Sequence, residues 1–314
     1  MPKYDAVFVG LTVLDVAGRP VVQVPAGGGV EFVQQIRMNP AGTAAAANLN
    51  AAKLGIRTAA VGCLGKDEKA DFILSCYHRW GIDCSLMQTT DTRDTSATIL
   101  PIRPNRERPC LHYRGASDEL FVTEAEFESV LDCTYLHHGG TGLLEAMDKG
   151  QSARLLAAAK ARGVVTCFDM IHPNENTLSL LVPLLPYVDY FMPSLEEAAY
   201  IAGSEDPVEV ANFFFDLGVQ KCVFKDGVRG SYLIKRDSFQ RVPAYVLRAS
   251  DTTGCGDAYC GGFIAGLARG LSEVEACKIG SAVGALVASG LGSDAGVVSW
   301  EETLSFIESY GVVD

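Results

Sequence analysis

The sequence has no apolar run of about 18 residues, no excess of basic residues and no Cys-x-x-Cys pair. Its 26 Lys and Arg against 38 Asp and Glu give a formal net charge of −12, so there is no electrostatic reason to expect a nucleic acid or an anionic membrane as partner. Its ten cysteines are scattered, as is typical of reduced thiols, and no signal peptide is recognisable. These features predict a cytoplasmic protein.

Two common nucleotide-binding motifs are also missing. No Gly-x-Gly-x-x-Gly follows a strand-like segment and opens a helix, and the Walker sequence does not occur. The glycine triplet at 27–29 precedes the strand-like Val30 to Val33, so it favours a turn between strands. A dinucleotide-binding Rossmann domain and a P-loop NTPase are therefore disfavoured.

The stretch Asp-Thr-Thr-Gly-Cys-Gly-Asp at 251–257 places small residues and two carboxylates just before an apolar helical stripe. This pattern predicts that Gly254 to Gly256 lie at the first turn of a helix, where unpaired backbone N–H groups bind an anion. Asp257 would then accept the proton of a hydroxyl that attacks a phosphoryl group. The alternative is that Asp251 caps the helix and Asp257 complements the helix dipole.

Strand-like and helix-like segments alternate along most of the chain. Apolar β-branched runs predict strands at 6–9, 58–61, 135–137, 164–168, 187–192 and 222–224, with helices at 44–54, 68–80, 149–161, 195–202 and 208–217. This alternation predicts a mostly parallel sheet with helices on both faces and ligands at the carboxyl ends of its strands. Segments 20–38 and 96–114 break the alternation, and they predict strand pairs of a separate small sheet.

The stretch 251–257 resembles the C-terminal signature of the ribokinase-like (PfkB) carbohydrate kinases, which usually have alanine where this chain has Cys255. A thiol at a helix N-terminus is reactive when its pKa is lowered, but for Cys255 a small residue filling a tight turn is the favoured reading. The resemblance covers nearly the whole chain and implies an α/β ribokinase-like three-layer fold, with a mostly parallel central sheet, helices on both faces and a small β-sheet lid. It implies one domain over 1–314, with lid segments inserted at about 16–39 and 94–116.

The same resemblance implies an enzyme that uses ATP and Mg²⁺ to phosphorylate a primary hydroxyl of a small sugar or sugar acid, as fructokinase, ribokinase or 2-keto-3-deoxygluconate kinase does. Asp257 is then the general base, and the amides of Gly254, Cys255 and Gly256 form the anion hole. Family members often dimerise through the lid, so a homodimer is expected. The alternatives are an adenosine- or inosine-type nucleoside kinase and a sugar or nucleotide sensor without turnover, although the intact Asp257 and both glycines argue against a sensor.

Two segments near the N-terminus are assigned to the sugar by the resemblance. Asp15 follows the first predicted strand, where a carboxylate suits two adjacent hydroxyls. Gly42 matches the second glycine of the family's N-terminal signature, whereas Ala41 replaces the first and Ala46 replaces a substrate-binding Asn. Asn48 lies two positions further on, about 200° around a helix, so it cannot simply substitute for the missing Asn. The acceptor therefore stays open.

Two more positions match the family less fully. Arg114 closes the second lid segment, where an Arg either pairs with a carboxylate or phosphate of the substrate or forms a surface ion pair. Asp169 matches an Asp at a strand end near the cleft, without its usual Asn and Arg companions. The neighbouring residues His137 and His138 would point to opposite faces of a strand, which favours one cleft-facing and one core histidine over a metal site.

The nucleotide and metal assignments also rest on the resemblance. Lys225, Gly227 and Gly230 lie in a segment similar to the loop that contacts the nucleotide, and Thr252 is assigned with them; without the family, this segment is an ordinary hairpin turn.

Glu197 matches the family's Asn-x-x-Glu motif, which implies a carboxylate that holds Mg²⁺ through water, although Ser194 replaces the Asn and a capping box explains the same residues. Asp251 and Thr253, with the segment 287–296, resemble a potassium site.

Overall fold

The structure is a computed structural model that describes residues 1–245, 247 and 249–312. Its strands are β1 (Tyr4–Gly10), β2 (Val13–Arg19), β3 (Gln35–Ala41), β4 (Thr58–Val61), β5 (Cys63–Gly65), β6 (Gln88–Thr90), β7 (Ala97–Pro101), β8 (Leu111–Tyr113), β9 (Cys133–Thr141), β10 (Val165–Met170), β11 (Tyr190–Phe191), β12 (Lys221–Lys225), β13 (Ser231–Lys235) and β14 (Ser238–Val242). Its α-helices are α1 (Thr43–Lys53), α2 (Glu68–Arg79), α3 (Phe127–Val130), α4 (Glu145–Asp148), α5 (Gln151–Ala161), α6 (Thr177–Leu181), α7 (Leu195–Ala202), α8 (Pro207–Asp216), α9 (Cys255–Ala268), α10 (Glu273–Ala288) and α11 (Trp300–Ser309).

The central sheet has the order β14-β13-β12-β11-β10-β9-β1-β4, and only β13 and β14 run antiparallel to their neighbours. Successive side chains of β1 enter two different cores, since Val7 and Val9 pack into one apolar cluster and Ala6 and Phe8 into another. Both faces are therefore covered, as the near-continuous apolar strands require. The prediction of a mostly parallel sheet with helices on both faces is confirmed.

A second, four-stranded sheet has the order β3-β2-β7-β8, and we call it the lid sheet. The predicted small sheet is thus present, but its first strand pair is at 13–19 and 35–41, on either side of the irregular residues 20–34. The expected strand at Val30 to Val33 is wrong: Val30 and Phe32 are exposed, and β-branched residues form a strand only where a neighbouring strand supplies hydrogen-bond partners.

Helices α1 and α9 lie against each other, and both begin at the same edge of the central sheet. Their axes approach closely because small residues line the contact: a Cβ atom on Gly261 would lie 2.3 Å from the carbonyl oxygen of Ala47. The predicted bounds of these and the other helices agree with the structure to within a few residues. In the part of the chain described here, no helix is long and apolar enough to cross a bilayer.

Candidate active site

A cleft of about 830 Å³ lies where the parallel strands end. Of the fifteen residues to which the sequence assigns a role in catalysis or in binding substrate, nucleotide or metal, ten line it, namely Asp169, Glu197, Lys225, Gly227, Gly230, Thr252, Gly254, Cys255, Gly256 and Asp257. The other five, Asp15, Gly42, Arg114, Asp251 and Thr253, lie outside its lining. Residues as far apart in the sequence as Asp169 and Asp257 are therefore brought together around one cleft.

The first turn of α9 forms the part of the wall that suits an anion. Gly254 precedes the helix with φ 71°, a left-handed conformation that favours glycine, and a Cβ there would lie 2.4 Å from the Cβ of Ser293. The helix begins at Cys255, so the N–H groups of its first turn have no partners within the helix. The raised pKa of Cys255 agrees with the favoured reading of a small residue in a tight turn and not with a reactive thiol, because burial raises this pKa to about 12 and the Asp251 carboxylate adds to the rise.

Asp257 projects from the same turn and keeps partial exposure to the cleft. Burial raises its pKa to about 7, and the carboxylate of Asp169 adds to the increase, while the ammonium of Lys225 opposes it. Glu197 and Asp15 raise the pKa further through their charges. The carboxyl group therefore titrates near neutral pH, in the range that suits proton transfer.

Asp15 lies on β2 of the lid sheet and is buried. Burial raises its pKa to about 7; the Thr98 hydroxyl opposes the rise, and the charge of Asp251 adds to it. Although Asp15 does not line the cleft, it lies close enough for its charge to raise the pKa of Asp257.

The start of α1 requires a glycine. Gly42 has φ 95°, and a Cβ at this position would lie 2.4 Å from the carbonyl oxygen of Leu11. The next residue, Thr43, lines the cleft and was not singled out in the sequence. Asn48 is fully buried and donates to the carbonyl oxygen of Ala59 on β4, so its side chain faces the sheet and does not stand in for the Asn that is missing at Ala46.

Arg114 forms an ion pair within its own segment. Its Nε and Nη2 atoms donate to the Asp118 carboxylate at 3.0 and 2.6 Å, and its Nη1 atom donates to the carbonyl oxygen of Gly142 at 3.1 Å. Of the two readings of Arg114, the structure thus shows the ion pair. Arg108, on the loop before β8, lines the cleft instead and forms no ion pair within the described residues. No local sequence pattern marks Arg108.

Lys225 and Asp169 form a buried ion pair in the cleft wall. The Lys225 Nζ atom donates to Asp169 Oδ2 at 2.6 Å, and the two side chains are only 11% and 2% exposed. The same Nζ atom lies 3.5 Å from the carbonyl oxygen of Gly256 and 3.6 Å from Cys260 Sγ. Lys225 therefore lies against the first turn of α9, whereas Gly227 and Gly230 occupy the turn between β12 and β13.

The candidate metal ligands are engaged by protein donors. The Glu197 carboxylate accepts from the N–H and hydroxyl of Ser194, which completes a capping box, and from the His172 N–H. The Asp251 carboxylate accepts from the N–H and hydroxyl of Thr253 and from the Gly292 N–H. Within residues 1–245, 247 and 249–312, no cluster of three or more His, Cys, Asp or Glu could hold a metal directly.

The adjacent histidines are both fully buried, so the expectation of one cleft-facing histidine is wrong. His138 Nε2 lies 3.0 Å from the Ser152 hydroxyl, and the His137 ring packs against Phe8. Burial, with the nearby charge of Lys225 as the second cause, lowers the pKa of His137 to about 3. Both faces of β9 are covered, which is why neither ring reaches the cleft.

A helix start with N–H groups that lack partners within the helix lies beside a carboxylate of near-neutral pKa, at the carboxyl edge of a parallel sheet. This is the arrangement that suits phosphoryl transfer in an α/β fold. The chain belongs to the pfkB family of carbohydrate kinases, whose family model matches residues 3–300. The resemblance inferred from the heptad at 251–257 is thereby confirmed, and the protein is a sugar kinase by family.

Similar proteins include ribokinase of Haemophilus influenzae, 26% identical over 82% of this chain and 84% of that protein. The 2-dehydro-3-deoxygluconokinase of Bacillus subtilis is also 26% identical, over 91% of this chain and 92% of that protein. The structure of Arabidopsis thaliana ribokinase complexed with ribose and ATP has a TM-score of 0.82 at 19% identity and covers 97% of this chain and 99% of that one. The fold is therefore ribokinase-like.

Proposed function

We propose that this protein transfers the terminal phosphoryl group of ATP to a primary hydroxyl of a small sugar or sugar acid. The observation that carries the proposal is that the Asp257 carboxylate and the first-turn N–H groups of α9 share one wall of the cleft. Asp257 accepts the proton of the attacking hydroxyl, and the amides of Gly254, Cys255 and Gly256 bind the charge that develops on the phosphoryl oxygens.

ATP fits the composition of the cleft. Beside the anion site, the lining is formed by small and apolar groups that suit a flat aromatic base: Ala244, Tyr245, Leu247, Ala249, Ser281 and Ala285. Gly227, Gly230 and Thr252 border the same space. The similar Arabidopsis ribokinase was solved with ATP, which supports the choice of nucleotide.

The residues fit Mg²⁺ only as an ion held mainly by phosphate oxygens and water. Glu197 has its carboxylate occupied by three protein donors, so it would act on the ion through water, as Mg²⁺ often requires. When bound, this ion would neutralise phosphate charge. Potassium would lie between Asp251 and the loop after α10, which the Gly292 N–H joins to Asp251 Oδ2 at 3.1 Å. Three protein donors leave Asp251 little capacity for further ligands, so backbone carbonyls would supply most of the potassium site.

Whether the acceptor is a sugar acid depends on whether a positively charged side chain can reach the acceptor in the cleft. Arg114 is held by Asp118, which removes the Arg expected to bind a sugar carboxylate. Arg108 lines the cleft and supplies the positive charge that a sugar acid would need, whereas Asp15 suits the hydroxyls of a neutral sugar. Because Ala46 replaces the family's Asn, a nucleoside remains the second candidate acceptor.

A homodimer through the lid sheet is part of the proposal. One face of this sheet exposes large apolar side chains, namely Ile36, Met38, Ile99, Leu111 and Tyr113, and the adjoining loop exposes Val22, Val24, Val30 and Phe32. An exposed apolar patch of this kind marks a protein contact. A second copy of the chain would cover it by the same face, as two-fold symmetry allows.

The experiment measures the release of ADP from ATP in the presence of Mg²⁺, with and without potassium. The acceptors compared are ribose, fructose, 2-keto-3-deoxygluconate, adenosine and inosine. We expect a sugar or sugar acid to give the highest kcat/KM. A preference for a nucleoside would select the second candidate, and no ADP release with any acceptor would exclude a kinase of these classes.

A further inference from the structure

The buried ion pair between Lys225 and Asp169 takes no direct part in the proposed phosphoryl transfer, but it lies against the first turn of α9, which carries Asp257. The Lys225 Nζ atom lies 3.5 Å from the Gly256 carbonyl oxygen and 3.6 Å from Cys260 Sγ, which are one helical turn apart on α9. A Cβ atom on Gly256 would lie 3.3 Å from this Nζ atom. The ammonium group is therefore packed against the turn that carries Asp257.

We propose that Lys225 and Asp169 are a positioning pair for Asp257: the ammonium group keeps the Asp257 carboxylate ionised and supports the first turn of α9, and Asp169 balances that ammonium so that it does not bind Asp257 itself. The inference rests on the proposed function, because it assigns roles around the proposed base. It assigns no contact with the nucleotide to Lys225.

The geometry explains why two opposite charges are needed. A lone ammonium beside Asp257 would form an ion pair with it and make it a poor proton acceptor. A lone carboxylate at Asp169 would repel the charge on Asp257 and keep it protonated at neutral pH. The 2.6 Å contact between Lys225 and Asp169 satisfies the ammonium at a site that is nearly closed to solvent.

Ionisable groups on several elements surround this pair and Asp257: Asp15 on β2, Arg108 on the loop before β8, His137 on β9, Asp169 on β10, Glu197 on α7, Lys225 on β12, and Cys255 and Cys260 on α9. Burial lowers the pKa of His137 to about 3 and raises the pKa of both thiols, so these three groups stay neutral near pH 7. Lys225 supplies the buried positive charge of this set.

The pKa shifts agree with the pairing. Burial works against the charge of Lys225, but the Asp169 carboxylate, together with smaller effects of the other acidic groups around it, including Glu197 and Asp257, outweighs burial and raises the pKa of the ammonium. Burial likewise raises the pKa of Asp169, and Lys225 opposes that rise. On Asp257 the two partners act in opposite directions, since Asp169 raises its pKa and Lys225 lowers it.

Because Lys225 and Asp169 shift the pKa of Asp257 in opposite directions, replacing each of them should move the pH profile in opposite directions, which a purely structural role would not do. In Lys225→Met the cation is lost, so the acid limb of the pH profile of kcat/KM for the acceptor should move up by about one pH unit. The value of kcat/KM should then fall roughly fivefold at pH 7, and this loss should largely disappear at pH 9. In Asp169→Asn the repelling charge is lost and the limb should move down. The double variant should return it towards that of the wild type.

A second readout does not need turnover. The ¹³C carboxyl resonance of Asp257, assigned by its loss in Asp257→Asn, should titrate at a higher pH in Lys225→Met and at a lower pH in Asp169→Asn. This measurement stands even if the acceptor is misassigned, so failure of the proposed function and failure of the positioning pair are distinguishable.

The matched control is Lys221→Met, on the same strand, whose ammonium pairs with Glu273 away from the cleft. It should leave the limb and the resonance unchanged. The proposal would be overturned if Lys225→Met and Asp169→Asn moved the acid limb in the same direction. It would also be overturned if Lys225→Met left the limb unmoved and greatly raised KM for ATP, which would indicate that Lys225 contacts a phosphate directly.

Discussion

Replacement of Asp257 by Asn tests the proposed chemistry most directly. The amide keeps the size of the side chain but cannot accept the proton of the attacking hydroxyl, and it removes a carboxyl group whose pKa of about 7 leaves it substantially ionised in neutral solution. Loss of a general base lowers kcat by about 10² to 10⁴-fold, or roughly 3 to 5 kcal/mol of transition-state stabilisation. The first-turn N–H groups of α9 are backbone atoms and remain, so the affinity for ATP should change little.

The assay measures kcat and KM for both substrates by ADP release, with binding of ATP measured separately by calorimetry. The matched control is Asp71→Asn, because Asp71 is also an acid in the first turn of a helix, α2, but is exposed and outside the cleft. If Asp257 only complements its helix dipole, both variants should lose a similar small amount of stability, under about 1 kcal/mol, and keep their activity. Unchanged turnover in Asp257→Asn would refute the assignment.

Three further predictions concern the first turn of α9 and the lid sheet. Gly254→Ala should abolish most activity, since its φ of 71° and the 2.4 Å approach to Ser293 force the turn to move; kcat is the readout, and wild-type kcat would contradict it. Burial raises the pKa of Asp257 from 3.8 to about 7, so the stability that this carboxyl group contributes falls away as the pH rises between those two values, and Asp257→Asn should raise Tm at pH 8 but not at pH 3. The double variant Ile36→Lys with Ile99→Lys places two charges on the exposed face of the lid sheet, so it should sediment as a monomer where the wild type sediments as a dimer. A monomeric wild type would exclude a dimer through the lid sheet.

Features that depend on neighbours in the chain could be predicted from the sequence. The heptad at 251–257 predicted a helix start with free N–H groups, and α9 begins within it, at Cys255. The alternating segments predicted the central sheet because a strand covered on both faces must be apolar along its whole length. The capping box of Ser194 and Glu197 was readable for the same reason, since its two residues are three positions apart.

Contacts between residues that are far apart in the sequence could not be predicted in this way. Lys225 was assigned to the nucleotide loop, but its ammonium pairs with Asp169, 56 positions earlier, because β10 and β12 end at the same edge of the sheet. Arg108 reaches the cleft while Arg114 does not, and only the path of the lid segment separates the two. The thiol of Cys255 has a raised pKa because burial, a tertiary property, outweighs the helix N-terminus.

The sequence by itself determined the class of reaction, because the heptad at 251–257 resembles the carbohydrate-kinase signature and the family model confirms that resemblance. The helix start that this heptad encodes is a local arrangement that the backbone expresses wherever the helix forms. The tertiary structure alone decided the charge around Asp257. That charge depends on which ionisable groups from β2, β10, α7 and β12 are buried together, and burial strengthens their interactions in a way that no spacing along the chain records.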